Sequence, residues 1–173
     1  MSPAPIHLTK RFLASVRPGP PVPKDEGWAR SLLMPGELEL WIRMPNPDRR
    51  HAVGVARRVR ELLGDRADRP VLAAALLHDV GKTADRLRTP ARVAATLVWL
   101  VLPDDRAHRW ADRPGVRGKL GRYHLHPDIG ADLLKGAGSA PLTVDWTAQH
   151  HWPESSWTLP PDLARALKDA DDD

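Results

Sequence analysis

The sequence predicts an all-α fold, and three observations carry that prediction. Apolar residues recur at helical spacing, as in Ala52, Val55, Ala56, Val59, Leu62 and Leu63. Proline and glycine cut the chain into lengths suited to single helices, with Pro near starts and Gly near ends. No alternating apolar–polar run of useful length marks a strand, and no internal repeat appears.

The elements follow in order. The first fifty residues are Pro-punctuated at Arg17–Pro23, Met34-Pro-Gly36 and Met44–Pro47. Each Pro fixes its own φ and turns the preceding residue away from helix, so only short helices fit between, near 25–34 and 37–44. Residues 1–46 read as a Pro-rich arm packed on a domain at 47–173, anchored by Trp28, Leu32, Leu33, Leu40 and Trp41. From Pro47 an amphipathic helix runs to Gly64. Val71–Val80 is almost wholly apolar and reads as a central buried helix stopped by Gly81. Further helices are expected over 90–102 and 114–123, after Pro127 to Gly136, after Pro141, and after Pro160 or Pro161. Val93–Leu102 is too short for a span of about 20 residues and reads as buried, with a partner-contacting helix the second reading.

Composition narrows the chemistry. At 173 residues with 42% hydrophobic and 28% charged, the chain is of single-domain size and globular. A net charge of +4 without a basic block gives no reason to expect nucleic acid. The absence of cysteine excludes disulfides, thiolate zinc sites and thiol nucleophiles together. Any metal must be held by His, Asp and Glu. The segment Met1–Ser15 lacks the apolar run of a secretory signal, so the expected location is the cytoplasm. Arg outnumbers Lys 20 to six and Asp outnumbers Glu 17 to five, as in high-GC bacterial genes, so each Lys is the more informative cation.

Six of the eight histidines fall at 51, 78, 124, 126, 150 and 151. With 17 Asp in the chain, about one His-Asp dipeptide arises by chance. His78-Asp79, however, ends an apolar helix, where an unpaired carboxylate would cost several kcal/mol. Either a structural His–Asp hydrogen bond or a shared divalent cation would satisfy the pair. His51 borders the inward face defined by Val55. His150 lies on the inward face defined by Leu142 and Trp146, with His151 rotated about 100° away. In the last helix Asp171 joins the face of Leu163 and Leu167, whereas Asp169 does not. Several helices thus aim hard-metal ligands at one core. His124 cannot share a helical face with His126 and reads as lying beside the site or on the surface, like His7 and His108. Arg86, Arg88 and Arg122 read as solvated charges or contacts to an anionic substrate. Trp146 reads as core, and Trp152 and Trp157 as packing residues or a stacking platform for a base.

These residues resemble the HD-domain metal-dependent phosphohydrolases. The order His51, His78-Asp79, Asp171 is similar to that family's ligand order, and His78-Asp-Val-Gly-Lys82 is similar to its HDIG-type variant. Two features resemble the binuclear HD-GYP branch: His126-Pro-Asp-Ile-Gly130, and His150-His151 opening an eleven-residue string that ends at Pro160. Within that string, Thr158-Leu159 stands for Gly-Tyr, and Trp152 for an acidic residue.

The resemblance implies a bundle of about six to eight helices with the Pro-rich arm. It implies one metal on His51, His78, Asp79 and Asp171, and a second, bridged by Asp79, on His126, His150 and His151. The donors suit one or two divalent ions among Mn, Fe, Mg, Zn and Ni. A metal pair about 4 Å apart would generate hydroxide for in-line attack on phosphorus. Lys82 would neutralise a phosphate oxygen, or merely complement a helix end. The implied function is hydrolysis of a small phosphorylated, nucleotide-like molecule. Two alternatives stand beside it: a degenerate HD-GYP-type cyclic-dinucleotide phosphodiesterase, and a silent metal- or nucleotide-binding regulatory module. The oligomeric state is not legible.

Overall fold

The computed structural model describes residues 19–172 except 86, 88, 100, 101 and 104. His7, Arg86 and Arg88 lie outside the described residues. Ten α-helices are present and no strand, among the described residues. They are α1 (Pro23–Leu32), α2 (Pro35–Arg43), α3 (Asn46–Leu63), α4 (Arg69–Leu77), α5 (Thr89–Trp99), α6 (Asp105–Ala111), α7 (Gly115–His124), α8 (His126–Gly136), α9 (Pro141–Gln149) and α10 (Pro161–Asp172).

Local chemistry sets the helix starts. Pro occupies the first turn of α1, α2, α3, α4, α8 and α9, where its missing N–H costs nothing. Asp68 caps α4, its carboxylate accepting from Val71 N at 3.1 Å. The Glu37 carboxylate accepts from Met34 N at 2.8 Å at the start of α2. Gly64, at φ +56°, ends α3 as expected.

The core is organised around α4, where every residue from Val71 to Leu77 is buried. It packs between α3 and α9; α8 lies on α9, and α10 on α3. The first two helices contribute Ala29, Leu40, Trp41 and Met44 to this same core. Their attachment is polar as well. Glu26 accepts from Trp41 Nε1 at 3.1 Å and from Arg49 at 3.0 Å, and Arg69 on α4 donates to Glu37 at 3.2 Å. In contrast, α5, α6 and α7 add no described residue to the main cluster and pack on one another.

Four local expectations need correction. α4 stops at Leu77, and Val80–Ala84 forms a separate 3-10 turn rather than more helix. Gly81 is therefore not a helix stop but a point of close approach. A Cβ there would lie 1.9 Å from the His126 carbonyl oxygen and 2.7 Å from Gly130 N. Leu62 faces solvent, and Val53 takes the buried place on that helix. Over its described residues the apolar segment 93–102 is not a buried helix. In α5 Ala95 is buried, but Leu97 is 59% exposed, because the helix rests on α7 at the margin of the bundle.

Candidate metal centre

The site forms where α4 breaks off. Asp79 adopts φ −97°, ψ 9°, which leaves the helical run and turns the chain into the 3-10 segment. Gly81 then presses against the start of α8, and Gly130 lets Thr147 of α9 approach the same point. Small residues at 81 and 130 thereby draw α8 and α9 onto the end of α4 and converge their histidines on one carboxylate.

Asp79 is the hub of this cluster. Its Oδ2 lies 3.6 Å from His78 Nε2 and 2.5 Å from Lys82 Nζ. Its Oδ1 lies 3.4 Å from His126 Nε2 and 3.8 Å from His150 Nε2. The two oxygens thus serve two sets of ligands. One set is His51, His78 and Asp79; the other is His126, His150 and His151, and within each set the ligand atoms lie within 4.8 Å of one another. Asp171 closes the first set, with Oδ1 2.8 Å from His51 Nε2 and 3.5 Å from His78 Nε2. Asp169 is exposed, so the last helix offers Asp171 alone of the two.

Three of the histidines are oriented in the same way. Nδ1 of His78, His126 and His150 points at the carbonyl of the residue three positions earlier: Ala75 at 2.9 Å, Tyr123 at 2.7 Å and Thr147 at 2.8 Å. A carbonyl only accepts, so each Nδ1 carries a proton, and in the neutral ring Nε2 is the atom left with a lone pair. Nε2 of His126 and of His150 is buried without a hydrogen-bond partner. Such orphaned acceptors are costly unless something else occupies their lone pairs. A divalent cation fits this donor set. It would use the bare Nε2 atoms, and two buried carboxylates would offset its charge.

Electrostatics keeps the donors in ligating form. Burial alone would raise the Asp79 carboxyl, but the Lys82 ammonium beside it outweighs this and holds it well below the usual carboxylate range. Burial opposes the carboxylate of Asp171 too, and His78 and His51 reverse this, so its pKa is strongly lowered. Burial pushes His126 and His150 down, and the neighbouring His151 and His78 push His150 further. His151 is lowered to about 4, by desolvation and then by His126 and Lys82. These three imidazoles are neutral at pH 7.

All seven predicted ligand positions lie in this cluster, with His78, Asp79, His126, His150 and Asp171 buried, His51 half-buried and His151 exposed. An open cleft of about 660 Å³ lies beside it, reached by Lys82, His126, His151 and Trp152. Its far wall was not anticipated: Trp99 of α5 and His108 of α6 lie there, together with Tyr123 of α7, whose carbonyl orients His126. The usable signal for Tyr123 was its place three residues before a ligand histidine. His124 stacks on Trp99 at 4.4 Å and lines the cleft without joining the metal cluster. Trp157 packs edge-on against the buried Trp146, and its Nε1 donates to Gln149 O. Arg122 is neither a solvated charge nor a cleft residue; it grips Asp85 at 2.6 and 3.2 Å and donates to Ala111 O.

The family model for the HD domain matches residues 49–172. The chain belongs to the HD-domain family. Its members are metal-dependent phosphohydrolases, and the match spans α3 to α10, every helix that contributes to the cluster. Searches of curated proteins and of solved structures give no match to this HD domain. Among the described residues, no helix is long and apolar enough to cross a membrane.

Proposed function

We propose that this HD domain hydrolyses a small phosphorylated, nucleotide-like substrate in the cleft between Asp79 and Trp99. The observation that carries the reading is the division of the Asp79 carboxylate between His78 at one oxygen and His126 and His150 at the other, each ring held at Nδ1 by a backbone carbonyl. His51, His78, Asp79 and Asp171 would hold one divalent ion, and Asp79, His126, His150 and His151 a second. Such ions supply Lewis acidity, which lowers the pKa of a water and polarises a phosphoryl oxygen.

The chain's own residues do the rest. The carbonyls of Ala75, Tyr123 and Thr147 hold three imidazoles in one tautomer, so no reorientation is needed when a ligand arrives. Lys82 stays charged because the attraction of Asp79 outweighs the burial that would lower its pKa. It lies at the cleft, where an ammonium is suited to neutralising a phosphate oxygen. Trp99 and Trp152 give the cleft aromatic surfaces for an organic moiety. The full ligand set supports an enzyme over a silent module. Thr158-Leu159 in place of Gly-Tyr supports a substrate other than a cyclic dinucleotide.

The test is a panel of nucleoside monophosphates, nucleoside triphosphates and cyclic dinucleotides, assayed with added Mn, Ni or Mg. Turnover of a nucleotide by the wild type and its loss in Asp79→Ala support the reading. Full metal occupancy with no turnover of any phosphoester would replace it with the regulatory one.

A further inference from the structure

A second concavity of about 600 Å³ opens on the α6–α7 hairpin, outside the metal cleft. Arg106, Arg109, Arg113 and Arg117 line it together with Trp110 and Pro114. The arginines come from both arms of the hairpin, and the arms are held unusually close. A Cβ at Gly118 would sit 1.8 Å from Arg113 O, and one at Gly121 would sit 2.5 Å from Ala111 N. This contact fixes α6 against α7 and places the four guanidiniums around one hollow. The Arg117 guanidinium sits 6.0 Å from the Trp110 ring centroid. Asp105 accepts from Arg109 at 2.8 Å, and it is the carboxylate paired with this group among the described residues. Asp112, beside Arg113 in sequence, acts on Arg122.

We propose that this hollow binds an oligophosphate anion. Four guanidiniums against one paired carboxylate among the described residues leave a positive surplus, complementary to the several negative charges of a short polyphosphate chain. Guanidinium forks match phosphate oxygens in pairs, which single ammonium groups do not. Arginine is common throughout this chain, so its mere presence here decides nothing. The concentration does: four of six lining residues are Arg, drawn from two helices onto one concave surface. The hollow is separate from the metal centre but adjoins its cleft. Trp110 lies 5.5 Å, centroid to centroid, from Trp99, which lines the cleft. The inference does not depend on the reaction proposed for the metal centre.

The experiment is calorimetric titration of the full 173-residue chain with inorganic tripolyphosphate in EDTA at low salt, so that no divalent ion can recruit the probe. Arg113→Ala/Arg117→Ala is compared with Arg43→Ala/Arg60→Ala, which removes the same charge from exposed positions elsewhere. Circular dichroism verifies that both variants are folded. The expected result is one site per chain, weakened at least tenfold by the hairpin pair and less than threefold by the control pair. Equal loss in both variants would reduce the effect to general surface charge and overturn the proposal. No wild-type binding, or no loss in the hairpin variant, would overturn it as well.

Discussion

His51 Nε2 lies 2.8 Å from Asp171 Oδ1, so that one contact joins α3 to α10 across 120 positions of sequence. The same oxygen lies 3.5 Å from His78 Nε2. Asp171 therefore fastens the last helix and completes a ligand set at once. Asp171→Ala should lower metal-free stability by about 1–3 kcal/mol, because two imidazoles lose a charged partner. It should also cost one metal site. Asp169→Ala, two residues earlier and exposed, should change neither by a measurable amount. Urea denaturation in EDTA and metal analysis of the same samples check both statements.

Two glycines make a sharper pair. Gly81→Ala would place a methyl 1.9 Å from His126 O, and backbone must move to admit it. A loss of about 3 kcal/mol is expected, with weaker metal binding, since the displaced strand of chain carries a ligand. Gly54 sits on the solvent face of α3 with nothing within 4 Å of its would-be Cβ. Gly54→Ala should stabilise by about 0.5–1 kcal/mol through helix propensity alone. Thermal melts of the two variants against wild type decide this.

Lys82 is paired with Asp79 at 2.5 Å but is not a ligand in this account. Lys82→Met should leave metal content unchanged. It should lower kcat by about 10²-fold, the scale for losing one group that offsets developing charge. Metal analysis beside steady-state kinetics on whichever phosphoester is turned over would expose the opposite case, a variant that loses its metal.

Acid should destabilise the metal-free protein early. Burial holds His126 and His150 below their ordinary values, so below pH ~6.5 the unfolded chain takes up protons that the folded chain refuses. Their contribution is complete above that pH and shrinks as pH falls, by up to about 1.4 kcal/mol per pH unit for each buried histidine. His151 is exposed at the cleft and should add least. The lowered carboxyls of Asp79 and Asp171 extend the loss below pH ~4. Urea midpoints in EDTA at pH 7.5, 6.5 and 5.5 should fall in that order, and a flat series would contradict the burial of these rings.

The helical class and the inward placing of His51, His150 and Asp171 were legible because both follow from spacing, whereas His126 and His151 were drawn in by the resemblance. His51, His150 and Asp171 share faces with apolar residues that must turn inward. The end of α4 was not legible. His78 and Asp79 leave the helix because Gly81 must meet the His126 carbonyl, a contact across 45 residues of sequence that no local pattern encodes. The pairing of Arg122 with Asp85 is hidden for the same reason. Helix α6 went unseen because seven mostly polar residues carry no periodicity, and α5 was read as buried because an apolar run does not reveal whether a neighbour covers it. The cleft wall built from these helices was missed with them.

The most direct test of the central claim is metal stoichiometry by elemental analysis after reconstitution with Mn and removal of free ion. Wild type should retain about two ions per chain. Asp79→Ala, which removes the carboxylate common to both sets, should retain none, and His150→Ala should retain about one. A wild-type chain that holds no ion, or an Asp79→Ala variant that holds as many as wild type, would contradict the account.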